Sequence, residues 1–341
     1  MAQHQLSFGP LLNEKGELNE AGFSFHLVKE YRRKDIKAPK GRIKEWDYYY
    51  VGDQEYGVCL TIDDNSYMGM ASFSIIDFKN KKETTKSIIK WFTNGKVGLP
   101  SSSVDGNTRI EGKNYFINFE NDNGKRHLTA HIDRFKDGKP LDVDIKLEQT
   151  NPNSMVIATP FNKKKYFYYN QKINLLKGVG YFSIGEDKHE MAKDTLGVLD
   201  WGRGVWTYSN TWYWSSFNGV YEGHNIGFNL GYGFGDTSAA SENMLFYDKE
   251  AFKLGDVVFN IPKNEKGKDD FLKPWTMKSS SGDIDLVFEP ILDRASNTNV
   301  VIIQSDQHQV FGKFSGTFKV EGKEIKIANL IGFAEKVKNR W

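Results

Sequence analysis

The 341 residues carry 46 lysines and arginines against 44 aspartates and glutamates, a balance that gives no electrostatic footprint for a nucleic-acid partner. A single cysteine, Cys59, excludes an intramolecular disulfide and any multi-cysteine metal site. Aromatic residues reach 14% and glycines number 32, which favours strands and tight turns over helices, and no run approaches the roughly 18 apolar residues of a membrane helix.

A chain of this length builds two domains or one large β domain. The N-terminus lacks a basic segment followed by an apolar run, so no secretory signal is read and the expected location is the cytoplasm. Residues 7–23 are turn-rich, with a short helical candidate at 16–21. Residues 29–44 are strongly basic, with Lys29, Arg32, Arg33, Lys34, Lys37, Lys40, Arg42 and Lys44 opposed only by Glu30 and Asp35. Such density reads as a solvated surface, or as a rim receiving an anionic substrate or acidic partner. Trp46 opens the first clear strand. Strands at 56–62 and 67–78 follow, joined by the turn Asp63-Asp64-Asn65. Cys59, in an apolar strand, reads as a small buried hydrophobe.

Short segments at 108–111, 115–120, 128–132 and 143–147 largely alternate apolar and polar residues and end in Gly, Asn or Asp. This is the pattern of an antiparallel meander or barrel. Strands at 156–159, 166–169 and 179–184 continue it. Residues 200–216 then gather Trp201, Trp206, Trp212 and Trp214, four of the eight tryptophans. Alternation puts Asn210, Trp212, Trp214 and Ser216 on one strand face and Thr211, Tyr213 and Ser215 on the other. The face is either a tryptophan-rich core or a wall lining a ligand.

Residues 227–235 place glycine at four of five odd positions, leaving one face nearly bare while Phe228, Leu230, Tyr232 and Phe234 fill the other. That bare face is expected opposite Trp212 and Trp214. A polar loop at 236–243, a charged loop at 262–270 and strands at 244–247, 256–261, 284–288, 300–303, 310–319 and 324–327 complete the chain. Residues 333–338 read as a short helix or a strand. Two stretches echo each other: 46–78 resembles 212–259 in element order, and 142–148 resembles 283–289 in sequence. The expectation is an all-β fold of two lipocalin-like antiparallel β-barrel halves packed together with little helix, covering 1–175 and 176–341.

The segments 200–206, 210–214 and 233–243, with 43–49, 99–102, 168–174 and 305–312, resemble the bacterial family catalogued as domain of unknown function 2804, over essentially the whole chain. More distantly, Asp200-Trp201-Gly202 is similar to the aspartate, basic residue, Trp-Gly motif of two-barrel, lipocalin-like (calycin) proteins related to carotenoid 1,2-hydratase. Here Trp201 follows the aspartate, and the basic residue Arg203 comes later. The resemblance implies an aspartate acting as acid on a hydrophobic substrate held between barrels.

Asp200 follows the apolar run 196–199 and precedes Trp201, a setting that favours a protonated carboxyl able to act as a general acid. The other reading is a buried carboxylate paired with Arg203 or with backbone amides. Glu242 or Asp236 is a candidate second carboxylate if the loop at 236–243 folds over the site, although Asp236 and Ser238 also suit loop capping. His308 is a candidate base, oriented by Asp306 on the same face. Trp201, Trp212, Trp214, Asn210, Tyr232 and Asn243 complete the expected ligand lining. The seven histidines show no metal-ligand spacing, and there is no nucleotide loop or nucleophile elbow, so no metal and no cofactor are expected. The expected partner is a small apolar, aromatic or sugar-like molecule. The activity is ligand binding or lyase, hydratase or cyclase chemistry using Asp200. The alternative is a carbohydrate-active enzyme using Asp200 with Glu242 or Asp236.

Overall fold

Along Lys125–Lys136, Arg126, Leu128, Ala130 and Ile132 are buried while the residues between them are more exposed. This period of two lets a strand put one face on a core and the other towards solvent. The same alternation recurs in Lys139–Gln149, whereas Ile43–Gly52 and Leu196–Val205 are buried on both faces. The computed structural model describes residues 3–300 and 303–341, so parts of the N-terminal segment and of the expected strand at 300–303 lie outside the described residues.

Two large sheets result. The first runs from Lys82–Trp91 through Met68–Asp77, Tyr56–Asp64, Ile43–Gly52, Leu196–Val205, Phe167–Ile184, Lys139–Gln149, Lys125–Lys136 and Tyr115–Asp122 to Thr108–Gly112. It curls until its ends meet, and Lys90 on one end strand donates to the Glu111 carbonyl on the other at 2.5 Å. The second sheet runs from Glu250–Lys253 through Met244–Tyr247, His224–Tyr232, Ser209–Tyr221, Lys323–Arg340, Ile303–Val320, Ile284–Val300 and Trp275–Ser279 to Val257–Asn260. The Phe259 amide donates to the Tyr232 hydroxyl at 3.2 Å where this sheet curls back.

The halves share one connectivity. In each, the first long strand pairs on one side with the next hairpin strand and on the other with the last strand of its half. The segments 142–148 and 283–289 fall in strands at equivalent places, third from that opening long strand. The chain passes from one sheet to the other at residues 206–208, whereas residue 175, where the sequence suggested a division, lies inside Phe167–Ile184 at a register shift. Helix is confined, among the described residues, to the 3-10 turns Arg33–Asp35 and Lys40–Arg42. The helical candidate at 16–21 is irregular, with an isolated bridge from Leu18 to Leu12, and 333–338 is strand.

Each curled sheet encloses its own apolar core, around Phe73, Tyr169 and Trp201 in the first half and Phe228, Trp275 and Phe314 in the second. Further apolar clusters form between the sheets, with Tyr48, Tyr50, Trp214 and Phe333 in one and Tyr168, Trp206, Phe234 and Met244 in another. Cys59 is buried in the former. No helix among the described residues is long and apolar enough to cross a membrane.

Candidate functional site between the sheets

Strand parity divides the aspartate motif. On Leu196–Val205, Leu199, Trp201 and Val205 point into the first core, and Arg203 shares their parity. Asp200 lies on the opposite parity with Val198, whose side chain joins the cluster between the sheets. In register, Asp200 faces Tyr48 on one neighbouring strand and Lys172 on the other. The second half repeats the arrangement: Glu335 faces Trp214 on one side and Gln309 on the other. Asp200, Tyr48 and Lys172 therefore correspond to Glu335, Trp214 and Gln309, and both triplets look into the same interface.

The triplets cross-connect. Lys172 Nζ lies 2.8 Å from the Asp200 carboxylate and 3.8 Å from the centroid of the Trp214 ring. The Tyr48 hydroxyl donates to Gln309 Oε1 at 3.3 Å. Gln309 Nε2 donates to Glu335 at 3.1 Å, and the Trp212 indole N–H donates to the other Glu335 oxygen at 2.9 Å. Asn170 donates to Asp200 at 2.6 Å. The Trp214 N–H donates to Asn229 at 2.7 Å, and Asn229 donates to the Glu242 carboxylate at 3.3 Å.

Tight backbone contacts make room for this cluster. A side chain at Gly202 would meet the Trp46 indole at 1.9 Å, so the indole lies directly on the bare backbone. A side chain at Gly231 would meet the Glu242 carboxylate at 2.5 Å, so the carboxylate occupies the bare glycine face. Gly231 is the cross-strand neighbour of Trp214.

One lysine thus sits among three carboxyls. Burial raises Glu335 to about 7; the neighbouring Asp200 charge adds to this, while the Trp212 hydrogen bond and Lys172 oppose it. Burial also raises Glu242, against Lys172 and the Asn229 hydrogen bond. A neutral carboxyl beside an ion pair, walled by indoles, is an arrangement that can hold and deliver a proton.

The other expected site residues lie elsewhere. Trp201 is in the first core, and Arg203 donates to Asp47 at 3.0 Å and to the Pro100, Trp46 and Gly202 carbonyls. Asn210 closes a turn with Thr207. Asp236 is exposed and accepts from the Ser238 amide at 3.0 Å. Asn243 ties Gly231 to Gly255, accepting at 2.7 Å and donating at 2.8 Å. Tyr232 stacks on Tyr213 at 4.5 Å within the second half. His308 bonds Asp293 at 2.6 Å and stacks on Phe271, while Asp306 stands 3.5 Å from its other nitrogen. The basic stretch at 29–44 is partly tied inward: Lys29 pairs with Glu20, Arg33 with Glu45, and Lys44 is fully buried. A separate surface cleft of about 430 Å³, lined by Tyr56, Lys82, Lys139, Lys188 and His189 among others, opens on the first half.

Sequence reasoning did not reach Lys172, Glu335, Gln309 or Asn229. Lys172 and Gln309 stand inside family-like segments, but nothing local ties either to Asp200. The legible signal was a lysine and a glutamate inside runs buried on both faces, residues 167–176 and 330–335.

A family model for "Domain of unknown function (DUF2804)" matches residues 3–341. No curated protein matches the chain in sequence. Among solved structures, a Nitrosomonas europaea protein taken to be an AttH superimposes with a TM-score of 0.55 at 12% identity, over 96% of this chain and 99% of that one. Kievitone hydratase from Nectria haematococca superimposes with a TM-score of 0.51 at 12% identity, over 98% of each chain. These likenesses establish a shared two-half fold.

Proposed function

The chain belongs to the domain of unknown function 2804 family, and for it we propose acid–base chemistry on an apolar or aromatic unsaturated small molecule held between the two halves, of the hydratase, lyase or cyclase kind. The observation that carries this reading is the set of three carboxyls, Asp200, Glu242 and Glu335, about Lys172, with Glu335 raised to about 7. The hydratase name of one fold relative agrees with it.

In this reading Glu335 gives its proton to a carbon–carbon double bond. The positive charge that develops meets the Asp200 carboxylate and the indole face of Trp212. Water or an internal nucleophile closes the reaction, and the proton it sheds returns to Glu335. Asp200, the acid expected from the sequence, becomes the fixed charge of the site, held by Lys172.

The test begins with native mass spectrometry of the purified protein and denaturing extraction of anything bound. Incubation with a lipid and phenolic extract in ¹⁸O-water follows, comparing the native protein with Glu335→Gln. Compounds that gain one labelled oxygen, or lose water, only with the native protein support the reading. Identical product profiles for the two proteins refute it.

A further inference from the structure

Four residues along the strand from Tyr48, the same interface face carries Lys44, which is fully buried. Its ammonium has no hydrogen-bonding partner among the described residues. It is enclosed by rings instead: Tyr67 at 4.8 Å, Trp341 at 5.0 Å and Trp206 at 5.5 Å from their centroids. The indole N–H groups of Trp206 and Trp341, the Tyr67 hydroxyl and one oxygen of the buried Asp63 also lack partners among the described residues. Arg42 braces the cage from outside, donating to the Trp341 carbonyl at 2.6 Å and the Trp206 carbonyl at 2.8 Å.

Buried polar groups are ordinarily paired, and a buried ammonium without a hydrogen-bonding partner is costly. Lys44, Trp206, Trp341 and Tyr67 together offer an ammonium, two indole N–H groups and a phenol as donors. A carboxylate presents two oxygens with about four acceptor positions and one negative charge. A phosphate dianion fits less well, because Asp63 stands beside the cage. Burial lowers Lys44 to about 7, Arg42 adding to the effect while the Asp63 charge opposes it, and burial raises Asp63 to about 7 against the pull of Lys44.

We propose that the Lys44 cage binds the carboxylate head of an elongated apolar or aromatic acid whose body lies along the interface. The register supports a single continuous site. Gly204 pairs with Lys44 and Asp200 with Tyr48, so the cage lies four residues, about 13 Å, from the Asp200 cluster. Aromatic rings line the interval: Trp206 packs on Trp46 at 5.1 Å and on Trp212 at 5.8 Å, and Trp212 bonds Glu335. This deepens the proposed function by naming the substrate class, and rests on it only for the reacting end.

The experiment is calorimetric titration of the full chain with alkanoates from butanoate to dodecanoate and with 3-phenylpropanoate, each beside its primary amide. The native protein is expected to bind at least one acid ten-fold or more tightly than its amide. Lys44→Met is expected to abolish that preference in a folded protein, because it removes the ammonium from the cage's donors. The titration reads binding alone, so absence of turnover leaves this result readable. Equal binding of every acid and its amide, or an undiminished preference in a folded Lys44→Met protein, overturns the proposal.

Discussion

Lys172 and Asp200, cross-strand neighbours in the first half, form a 2.8 Å ion pair turned towards the second half. Both side chains are almost wholly buried, and Lys172 also covers the face of Trp214. Removing the cation leaves the buried Asp200 beside Glu242 and Glu335 without its ion-pair partner. Lys172→Met is therefore expected to destabilise the protein by about 3–5 kcal/mol, the usual cost of breaking a buried pair from one side. Asp200→Asn in the same background is expected to recover much of that loss. Urea unfolding of the two single variants and the double variant measures the coupling. Additive effects would show that the two side chains act independently.

Glu335 carries the clearest pH signature. Its folded value is about 7 against an ordinary 4.5, so the folded chain holds this proton more tightly than the unfolded chain does. Stability from this group is therefore lost as pH rises from about 4.5 through about 7, with a ceiling of about 3 kcal/mol. Glu335→Gln cannot ionise and escapes that loss. Denaturant titrations at about pH 5 and about pH 8 are expected to show the variant gaining on the native protein at the higher pH. A difference that stays constant between the two conditions contradicts the assignment.

The fold was largely legible because period-two burial and glycine-closed turns are local properties. The duplication could also be read: 142–148 and 283–289 do occupy equivalent strands. The site was less legible. Arg203 was a natural partner for Asp200 in a list of neighbours, yet residues three apart on a strand point to opposite faces, and Arg203 pairs with Asp47 instead. Glu335 stood in a segment that also read as helix, and its meeting with Trp212 brings the last strand of the second half against its first. Lys172 reaches Trp214 only because the halves pack face to face, which no local pattern encodes.

Gly202 tests that packing directly. The Trp46 indole occupies the space of a Cβ there, with the nearest ring atom at 1.9 Å, and Trp46 is stacked on Tyr168 and edge-on to Trp206. Gly202→Ala is expected to cost about 1–3 kcal/mol, the usual penalty for overpacking. Trp46→Leu in the same chain is expected to relieve part of that cost. Thermal melts of the single and double variants decide the matter, and a neutral Gly202→Ala would mean that the indole has room to move.

His308 lies in the second half, outside the Asp200 cluster, and its expected effect is on stability. Burial works against its protonation, but the 2.6 Å Asp293 hydrogen bond and the charges of Asp293, Asp306 and Asp269 outweigh burial and raise its pKa above the ordinary 6.5. Lys336 and Lys263 face the same group through Asp269, which they pair at 2.6 Å and 2.5 Å. A histidine raised in the folded state contributes stability that is full below about 6.5 and is lost as pH climbs through the folded value. Asp293→Asn is expected to lower the His308 pKa and to remove about 1 kcal/mol of stability below that window and little above it. Histidine NMR titration and melts across the same pH range check both effects. A His308 that titrates at the same pH in both proteins would show that Asp293 is not what holds its proton.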